Sequence, residues 1–410
     1  MGAWSWARRI AGAALIAGMT LGTSYAVPAR LPLFQATTTG LIGYWKLDET
    51  TGTTAADSSS SAITGTYVGT PAVVTSTAQL PPPFGGISNT ACLDFNNAAS
   101  GQCINLGANL PLLNNVTGAT LAYWVNARTI VVGTGLSIAV GGGTPPFGTS
   151  RSSLELAATN RIQGLARGAD ADPSKFRQTP DNAISLSTWV HVATTVDYPT
   201  GNIKVYVNGV EVTTGITDMG GPIVSPTAAT NSTNAAIAAS DGANGAFMDG
   251  LMDDVRVYSR VLTPAEIFAL AAPAPPTGLT ATGVLGGNDL QWTAGQPGTN
   301  TYAVYSSATG TPGSYALLQN NVTGTTFSDT GASTSAPTFY IVRSVVTGPI
   351  PESIDSNSAS ATATPIPPPP PRTQKVGDRH MCGCDTVSEV GSFALVAALT
   401  ALALLLLARR

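Results

Sequence analysis

The sequence is poor in charged side chains and in residues that bind transition metals. Lys, Arg, Asp and Glu make up 10% of the 410 residues, against roughly 25% in ordinary soluble domains. The formal net charge is −4 and no basic run is present, so a surface that binds nucleic acid is not expected. Four cysteines and two histidines form no recognisable zinc-site spacing. Gly, Pro, Ser, Thr and Ala replace the charged residues, which is typical of short strands joined by turns.

The N-terminal 26 residues predict export. Arg8 and Arg9 precede an apolar run over residues 10–21, and a small-x-small cleavage site ends at Ala26. This order of basic, apolar and small residues is that of a secretory signal peptide over residues 1–26. An uncleaved membrane anchor is the alternative. With a signal peptide, the protein leaves the cytoplasm.

The C-terminal end predicts membrane attachment. A proline-rich linker over residues 365–381 is expected to be stiff. The segment 382–410 then carries Cys382, Cys384, an apolar run over 390–408 and two arginines. The apolar run is close to the lower limit of about 17 residues for a helix that spans a membrane. The arginines after it are expected on the cytoplasmic side.

This tail resembles the tripartite C-terminal sorting signals of myxobacterial type. It departs from them because residues 385–389 read DTVSE, where those signals have glycines. The resemblance implies a bacterial protein that is cut or modified near Cys382 or Cys384 and displayed on the cell surface. A plain membrane anchor is the alternative.

Residues 250–270 predict a strand followed by a capped helix. Apolar and polar residues alternate up to Tyr258, as in a strand with one apolar face. Thr263 suits the N-cap, Pro264 suits the first helical position, and Glu266 can complete a capping box. The helix is predicted to bury Ile267, Phe268 and Leu270.

This strand and helix resemble the closing motif of laminin-G-like domains, with one extra residue before Asp253. The motif runs Gly-x-x-Asp-Asp-x-Arg-x-Tyr-x-Arg-x-Leu-x-x-x-Glu-Ile. Residues 41–49 (LIGYWKLDE) resemble the family's opening motif, and residues 189–196 (WVHVATTV) resemble its Trp-x-His-Val-Ala strand. The resemblance implies that residues 37–270 form a concanavalin A-like jelly-roll sandwich of two antiparallel sheets.

The dipeptide Asn208-Gly209 predicts a hairpin within residues 203–212. The register of that hairpin places Tyr206 and Glu211 together on the outer face. It places four valines on one buried face, at Val205, Val207, Val210 and Val212.

A second hairpin is predicted around residues 96–100, between Cys92 and Cys103. In that hairpin the two cysteines lie opposite each other, within reach of a disulfide. The other face is predicted to carry Leu93, Phe95, Ile104 and Leu106. Since export supplies an oxidising compartment, a Cys92–Cys103 disulfide is expected. Two free thiols or a metal pair are the alternatives.

Residues 275–364, after a short linker at 271–276, resemble a fibronectin type III domain. Trp292 matches the family's core tryptophan, and Tyr340 matches the tyrosine of its late strand. The fold class is therefore all-β: a jelly-roll sandwich, then a smaller fibronectin type III-like sandwich, then a C-terminal hydrophobic helix. No Arg-Gly-Asp loop is present, so an integrin-type role has no support.

Calcium is the one cofactor that the laminin-G-like resemblance implies, at a loop edge. Asp57 and Asp253 are the candidate ligands, and Asp249 and Asp241 are weaker ones. Residues 60–62 read SSA, where the family usually has Gly-Asn-Gly, which puts the loop-bound ion in doubt. As alternatives, Asp57 caps a turn and Asp253 pairs with Arg256 or a backbone amide.

Catalysis is not expected from these residues. Glycoside hydrolysis needs two carboxylates that face one sugar bond, and Glu155 has no carboxylate two or four residues away. Asp253 and Asp254 are consecutive strand residues, which point to opposite faces. His191 is predicted to be a packed structural side chain.

Aromatic side chains in loop-like stretches are candidate platforms for sugar rings, with ordinary packing as the alternative. They are Phe147, Phe176 and Tyr198. Glycosylation sequons begin at Asn115, Asn231 and Asn321.

Together these features predict an exported surface protein that binds carbohydrate or extracellular protein through its jelly roll. The fibronectin-like module spaces this domain from the membrane tail, and no nucleic-acid partner is expected. A structural envelope protein without a ligand is the alternative, and a glycoside hydrolase is the third. The sequence identifies no ligand-binding residues.

Overall fold

A computed structural model describes residues 38–82, 84–85, 89–96, 101–107, 113–130, 133–140, 149–169, 172–227, 234–240, 245–295 and 301–371. The predicted signal peptide, the sites at Cys382 and Cys384, and the apolar run at 390–408 lie outside these residues. Along the part of the chain that is described, no helix has both the length and the apolar character needed to cross a membrane.

The first and larger β sandwich contains seventeen of the described strands and ends in a helix. They are β1 (Leu41–Trp45), β2 (Thr54–Ala55), β3 (Gly65–Val68), β4 (Ala72–Val74), β5 (Cys92–Phe95), β6 (Cys103–Gly107), β7 (Gly118–Thr129), β8 (Gly133–Val140), β9 (Thr149–Ala157), β10 (Arg161–Ala166), β11 (Lys175–Gln178), β12 (Val190–Asp197), β13 (Asn202–Val207), β14 (Val210–Glu211), β15 (Thr217–Gly220), β16 (Asn234–Ile237), β17 (Asp249–Tyr258) and α1 (Pro264–Ala271).

These strands form two sheets. The eight-stranded sheet has the order β14-β13-β12-β7-β17-β5-β4, with β1 also paired to β17. The nine-stranded sheet has the order β15-β11-β10-β9-β8-β16-β6-β3-β2. All the pairings are antiparallel. The prediction that this part of the chain forms two antiparallel sheets is confirmed.

Side chains from both sheets share one core, as strand alternation requires. β7 contributes every second residue to it, and β9 and β10 of the other sheet do the same. The buried cluster includes Leu121, Tyr123, Val125, Leu154, Leu156 and Ile162. The residues between them face the outer sides of the sandwich.

The predicted helix cap is present. Thr263 is the N-cap of α1, and its hydroxyl accepts a hydrogen bond from the backbone N–H of Glu266 at 3.3 Å. The Glu266 carboxylate accepts the Thr263 N–H at 2.8 Å. α1 buries Ile267 and Leu270 in a cluster with Tyr206. The helix therefore covers part of the outer face of the eight-stranded sheet.

The Asn208-Gly209 hairpin is also present, but one burial prediction is wrong. Both turn residues have positive φ (50° and 77°), and Tyr206 pairs with Glu211 as predicted. Val210, however, is 39% exposed, because β14 is a two-residue strand at the edge of its sheet. Tyr206 is on the outer face but is 1% exposed, since α1 packs over it.

Strict alternation fails at Asp253 and Asp254. The pairing of β17 with β7 shifts register between Asp253 and Arg256, and Asp254 has a φ of 51°. Met252 and Val255 both reach the central core, so two residues lie between successive core residues. This is a β-bulge, and it corrects the expectation that the two aspartates simply alternate between faces.

The predicted Cys92–Cys103 disulfide is wrong in this structure, where both thiols are free and buried. The predicted alternation was right, since Leu93, Phe95, Ile104 and Leu106 all lie in the central core. However, β5 pairs with β4 and β17, whereas β6 pairs with β3 and β16. The two strands therefore belong to opposing sheets, and their cysteines point away from the shared core in opposite directions.

The second and smaller sandwich follows α1. Its described strands are β18 (Thr277–Val284), β19 (Gly287–Thr293), β20 (Thr301–Ser307), β21 (Ala316–Thr323), β22 (Thr326–Asp329), β23 (Thr338–Val345) and β24 (Ala359–Ala361). They form one sheet in the order β18-β19-β22 and another in the order β21-β20-β23-β24.

The two predicted aromatic core residues of this sandwich are buried together. Trp292 and Tyr340 are 3% and 0% exposed and belong to one cluster. The Tyr340 hydroxyl donates a hydrogen bond to Asp329 at 2.8 Å and accepts one from Asn288 at 2.9 Å. This buried hydroxyl is therefore satisfied, as buried polar groups generally are.

The two sandwiches are not joined by a free linker. Ala272, within the predicted linker, is 2% exposed, and its carbonyl accepts the Gly85 N–H at 2.8 Å. Ser344 of the small sandwich donates a hydrogen bond to the Ala274 carbonyl at 2.8 Å. Both sandwiches lie within one compact unit of the chain, Met1–Ile366. The small sandwich therefore packs against the jelly roll, and its role as a spacer from the membrane tail stays a prediction.

Candidate functional site

Asp57, the first calcium candidate, is occupied as a turn cap. Its Oδ1 accepts backbone N–H groups of Tyr44 and Ser59, both at 2.8 Å. Its Oδ2 accepts the backbone N–H of Ile63 at 2.9 Å. This geometry is the capping alternative considered from the sequence.

Asp253, the second candidate, is completely buried. Its carboxylate accepts the Asp254 N–H at 2.9 Å, and burial, followed by the Asp254 charge, raises its pKa well above the usual value. Asp254, rather than Asp253, forms the ion pair with Arg256, at 2.9 Å. The Arg256 guanidinium also lies over the Tyr44 ring, 4.5 Å from its centroid.

The described residues contain no group of three or more His, Cys, Asp or Glu side chains placed to hold a metal ion. Among the weaker candidates, Asp249 is bound by Arg128 at 3.0 Å and Thr129 at 2.8 Å, and Asp241 lies outside the described residues. A calcium site at Asp57 and Asp253 therefore stays a prediction.

The structure describes two of the three aromatic residues proposed as sugar platforms, and they differ in exposure. Tyr198 is 1% exposed and belongs to the central core, so it is not a platform. Phe176 lies on β11 and is half-buried. Phe147 and the sequon asparagine Asn231 lie outside the described residues. Asn115, with a φ of 58°, lies in a turn, and Asn321 lies on β21.

The outer face of the nine-stranded sheet carries a row of polar side chains. Glu155 of β9 is opposite Gln163 of β10, Gln163 is opposite Gln178 of β11, and Gln178 is opposite Thr217 of β15. Since Leu154 and Ile162 point into the core, alternation places these four residues on the other face. We call Glu155, Gln163, Gln178 and Thr217 the polar row.

Three members of the polar row form a continuous hydrogen-bond chain. Gln178 donates to Gln163 at 2.9 Å, and Gln163 donates to Glu155 at 2.9 Å. The Arg161 guanidinium donates to the side-chain amide oxygen of Gln178 at 2.8 Å, and the Ser153 hydroxyl donates to the Glu155 carboxylate at 2.6 Å. All the donors point toward the anionic end. Such a chain, charged at both ends, holds its members in fixed positions.

An apolar row runs beside the polar row, displaced from it by two residues on each of β10, β11 and β15. Leu165 of β10 is opposite Phe176 of β11, and Phe176 is opposite Met219 of β15. Met219 is 41% exposed. A Cβ on Gly220 would lie 2.0 Å from the Ser174 carbonyl oxygen, so only glycine fits beside this strand. We call Leu165, Phe176 and Met219 the apolar row.

Amide and apolar groups in adjacent rows offer what a polyhydroxylated ligand requires: hydrogen-bonding partners and flat apolar contact. Gln163 is half-buried and uses one of its two amide N–H donors within the chain of hydrogen bonds. Its second donor is therefore available to a ligand. Sequence reasoning named Phe176 but missed the polar row, because the partners of Glu155 lie across strands, beyond the two- or four-residue spacing that was inspected.

His191 is packed, as predicted. It is 1% exposed and lies edge-on to Trp124, with 5.4 Å between the ring centroids. Burial, followed by the Arg256 charge, lowers its pKa to about 3. His191 is therefore a neutral side chain inside the fold at ordinary pH.

Comparison with known families identifies the large sandwich. Residues 99–268 match the Laminin_G_3 family model, described as "Concanavalin A-like lectin/glucanases superfamily". The chain contains a concanavalin A-like domain. No curated protein is significantly similar to the chain in sequence. The concanavalin A-like match includes β9, β10, β11 and β15, so the polar and apolar rows lie within it.

Solved structures resemble parts of the chain. A Fn3-like protein from Clostridium thermocellum is 36% identical, with 22% of this chain and 94% of that chain covered and a TM-score of 0.20. The expected concanavalin A-like and Fn3-like domains are thus confirmed at this level. Domain 4 of AbnA, a GH43 extracellular arabinanase from Geobacillus stearothermophilus in complex with arabinotriose, is 20% identical, with 56% and 98% covered and a TM-score of 0.32.

A sialidase mutant from Trypanosoma rangeli that displays trans-sialidase activity is 17% identical, with 57% of this chain covered and a TM-score of 0.39. The chain spans about a third of that sialidase's length, 33%. Because these TM-scores are below 0.5, the likenesses add nothing to the assignment of a ligand or an activity.

Proposed function

We propose that this chain is an exported, non-catalytic binding protein that recognises carbohydrate through the outer face of its nine-stranded sheet. The observation that carries the proposal is the hydrogen-bond chain from Arg161 to Glu155. It fixes two amide side chains next to an apolar row that includes Phe176. A concanavalin A-like lectin/glucanase domain is a suitable setting for such a face.

Preorganisation favours binding at this face. A ligand pays less entropy when the groups that receive it are already ordered. Glu155, Gln163 and Gln178 are held by one another and by neighbouring side chains. Glu155 and Gln163, both partly exposed, therefore present hydrogen-bonding groups in a fixed pattern, and the buried Gln178 holds Gln163 in place. Isolated long polar side chains would have to be immobilised on binding.

Binding without turnover fits the composition of the face. Hydrolysis of a glycosidic bond needs a pair of carboxyl groups. The polar row supplies one carboxylate, Glu155, together with two amides and a hydroxyl. We therefore place adhesion or capture ahead of hydrolysis.

Export and surface display belong to the same proposal. The pattern of residues 1–26 supports a secretory route, and the pattern of residues 382–410 supports attachment at the membrane with processing near Cys382 or Cys384. A calcium ion at Asp57 and Asp253 is not needed for binding at the polar row.

A glycan array tests the proposal. We expect the purified chain to bind a subset of glycans, and we expect Gln163→Ala and Glu155→Gln to weaken that binding at least about tenfold, the equivalent of 1.4 kcal/mol. Matched controls are Gln319→Ala on β21 and Glu211→Gln on β14. Incubation with the bound glycan should release no shorter products.

Three results would contradict the proposal. The first is an array with no bound glycan, which would favour a structural envelope protein or a protein ligand. The second is binding that Gln163→Ala and Glu155→Gln leave as strong as the two controls do. The third is release of shorter glycans, which would establish a hydrolase.

A further inference from the structure

The polar and apolar rows run across the strands rather than along one of them. The polar row takes one residue from each of four adjacent strands, β9, β10, β11 and β15. With neighbouring strands about 4.8 Å apart, the row is about 14 Å long. That is longer than one sugar ring.

The two rows are parallel to each other. Gln163 and Leu165 are two residues apart on β10, Gln178 and Phe176 on β11, and Thr217 and Met219 on β15. At about 3.4 Å per residue, the rows lie about 7 Å apart. Gln178 and Leu165 are each only 7% exposed, so a saccharide laid in this direction meets Gln163 and Thr217 with its hydroxyl groups and Phe176 and Met219 with the apolar faces of its rings.

The rows are open at the β15 end. β15 is the last strand of the nine-stranded sheet, and all four of its residues are exposed. A site that recognises the end of a saccharide chain has to close around that end. Here the described residues leave a bound saccharide free to continue past Thr217 and Met219.

We infer that the ligand is an internal stretch of a linear saccharide chain, bound across β9 to β15, rather than a single terminal sugar. This inference rests on the proposed function of the same face. It follows from the length, the direction and the open end of the two rows, which a single ring would contact only in part.

A chain-length series tests the inference. Calorimetric titration of the purified chain uses cello-, xylo- and arabino-oligosaccharides of one to six units as probes. In the series that binds, we expect affinity to rise from the monosaccharide to the short oligomers by at least about tenfold and then to level off. Levelling off marks the point at which the rows are filled.

Variants at the open end sharpen the test. Met219→Ala is expected to reduce the gain in affinity from longer chains about threefold, or about 0.7 kcal/mol. The matched control is Leu317→Ala, a change of another exposed apolar residue (54% exposed) on the small sandwich. The control should leave the whole length dependence unchanged.

The outcomes separate the inference from the proposed function. A monosaccharide that binds as tightly as its oligomers would overturn the inference and leave carbohydrate binding intact. If Met219→Ala and Leu317→Ala change the length dependence equally, the saccharide binds elsewhere on the protein surface. That result would also overturn the inference. Absence of binding across every series and the glycan array would overturn the proposed function, and this inference with it.

Discussion

Ile350 of the small sandwich and Trp124 of the large sandwich lie in one buried cluster. Ile350 follows Pro349 and precedes Pro351 on the loop between β23 and β24. Two prolines limit the conformations open to this loop before it docks. The same cluster contains Trp189 and Phe268 of the large sandwich, so the outer face of the eight-stranded sheet is completed by a side chain from the other domain.

The first prediction is that the two sandwiches unfold together. Ile350 is 7% exposed, and truncation of a buried isoleucine to alanine costs about 2–5 kcal/mol. Ile350→Asp should therefore uncouple the domains and split one calorimetric transition into two. Ile366→Ala, at a residue that is 69% exposed, is the control. Two separate transitions in the unmodified chain would contradict a shared core.

The second prediction concerns the ion pair of Asp254 and Arg256, both 2% exposed. Arg256→Leu leaves a carboxylate buried without its cation and should cost about 3–5 kcal/mol in free energy of unfolding. Adding Asp254→Asn should recover part of that loss, because the unpaired charge is removed as well. Denaturant unfolding of the two single variants and the double variant measures this coupling. Strictly additive costs would contradict the pair.

Local signals in the sequence were sufficient for several elements. The capping box at Thr263 and Glu266 and the turn at Asn208-Gly209 each depend on a few consecutive residues, so their geometry was predictable. Trp292 and Tyr340 were recognisable through the resemblance of residues 275–364 to a fibronectin type III domain. The bulge at Asp254 was not, because a positive φ at a non-glycine residue inside a strand has no reliable sequence signal.

Contacts between distant segments were the part that sequence could not provide. Alternation correctly assigned Leu93 and Ile104 to the core, yet it could not tell that their strands belong to opposing sheets. Because the two strands lie in opposing sheets, Cys92 and Cys103 do not form the predicted disulfide. The polar row likewise depends on strand register. β9 and β10 are joined by three residues, but β11 and β15 are far apart in the sequence, and no residue spacing predicts that they pair.

The third prediction is acid sensitivity that arises from His191. Its pKa is lowered to about 3 by burial, whereas the unfolded chain binds a proton near pH 6.5. The unfolded state therefore takes up more protons as pH falls from about 6.5 to 3. Stability should fall by up to about 1.4 kcal/mol per pH unit in that window.

Replacing the imidazole tests this assignment. His191→Leu cannot be protonated, so its free energy of unfolding should depend less steeply on pH between 6.5 and 3 than that of the unmodified chain. Urea unfolding at a series of pH values provides the comparison. Identical slopes for the two proteins would assign the acid sensitivity to other groups.

The fourth prediction is that Cys92 and Cys103 are free thiols that react slowly. Burial, followed by the Asp253 charge, raises the pKa of Cys92 to about 12, and burial raises that of Cys103 to about 11. Because the thiolate is the reactive form, neither should be alkylated readily in the native chain at neutral pH. Both should be alkylated in denaturant without a reducing agent, as peptide mass spectrometry can show. A peptide in which the two residues are cross-linked would contradict the structure.

The most direct measurement of the central claim is a crystal structure of the chain with a bound oligosaccharide from the length series. The account predicts saccharide density across β9, β10, β11 and β15, with ring hydroxyls within hydrogen-bond distance of Gln163 and a ring face against Phe176 or Met219. Density bound elsewhere, at the loop edge near Asp57 or on the small sandwich, would contradict it.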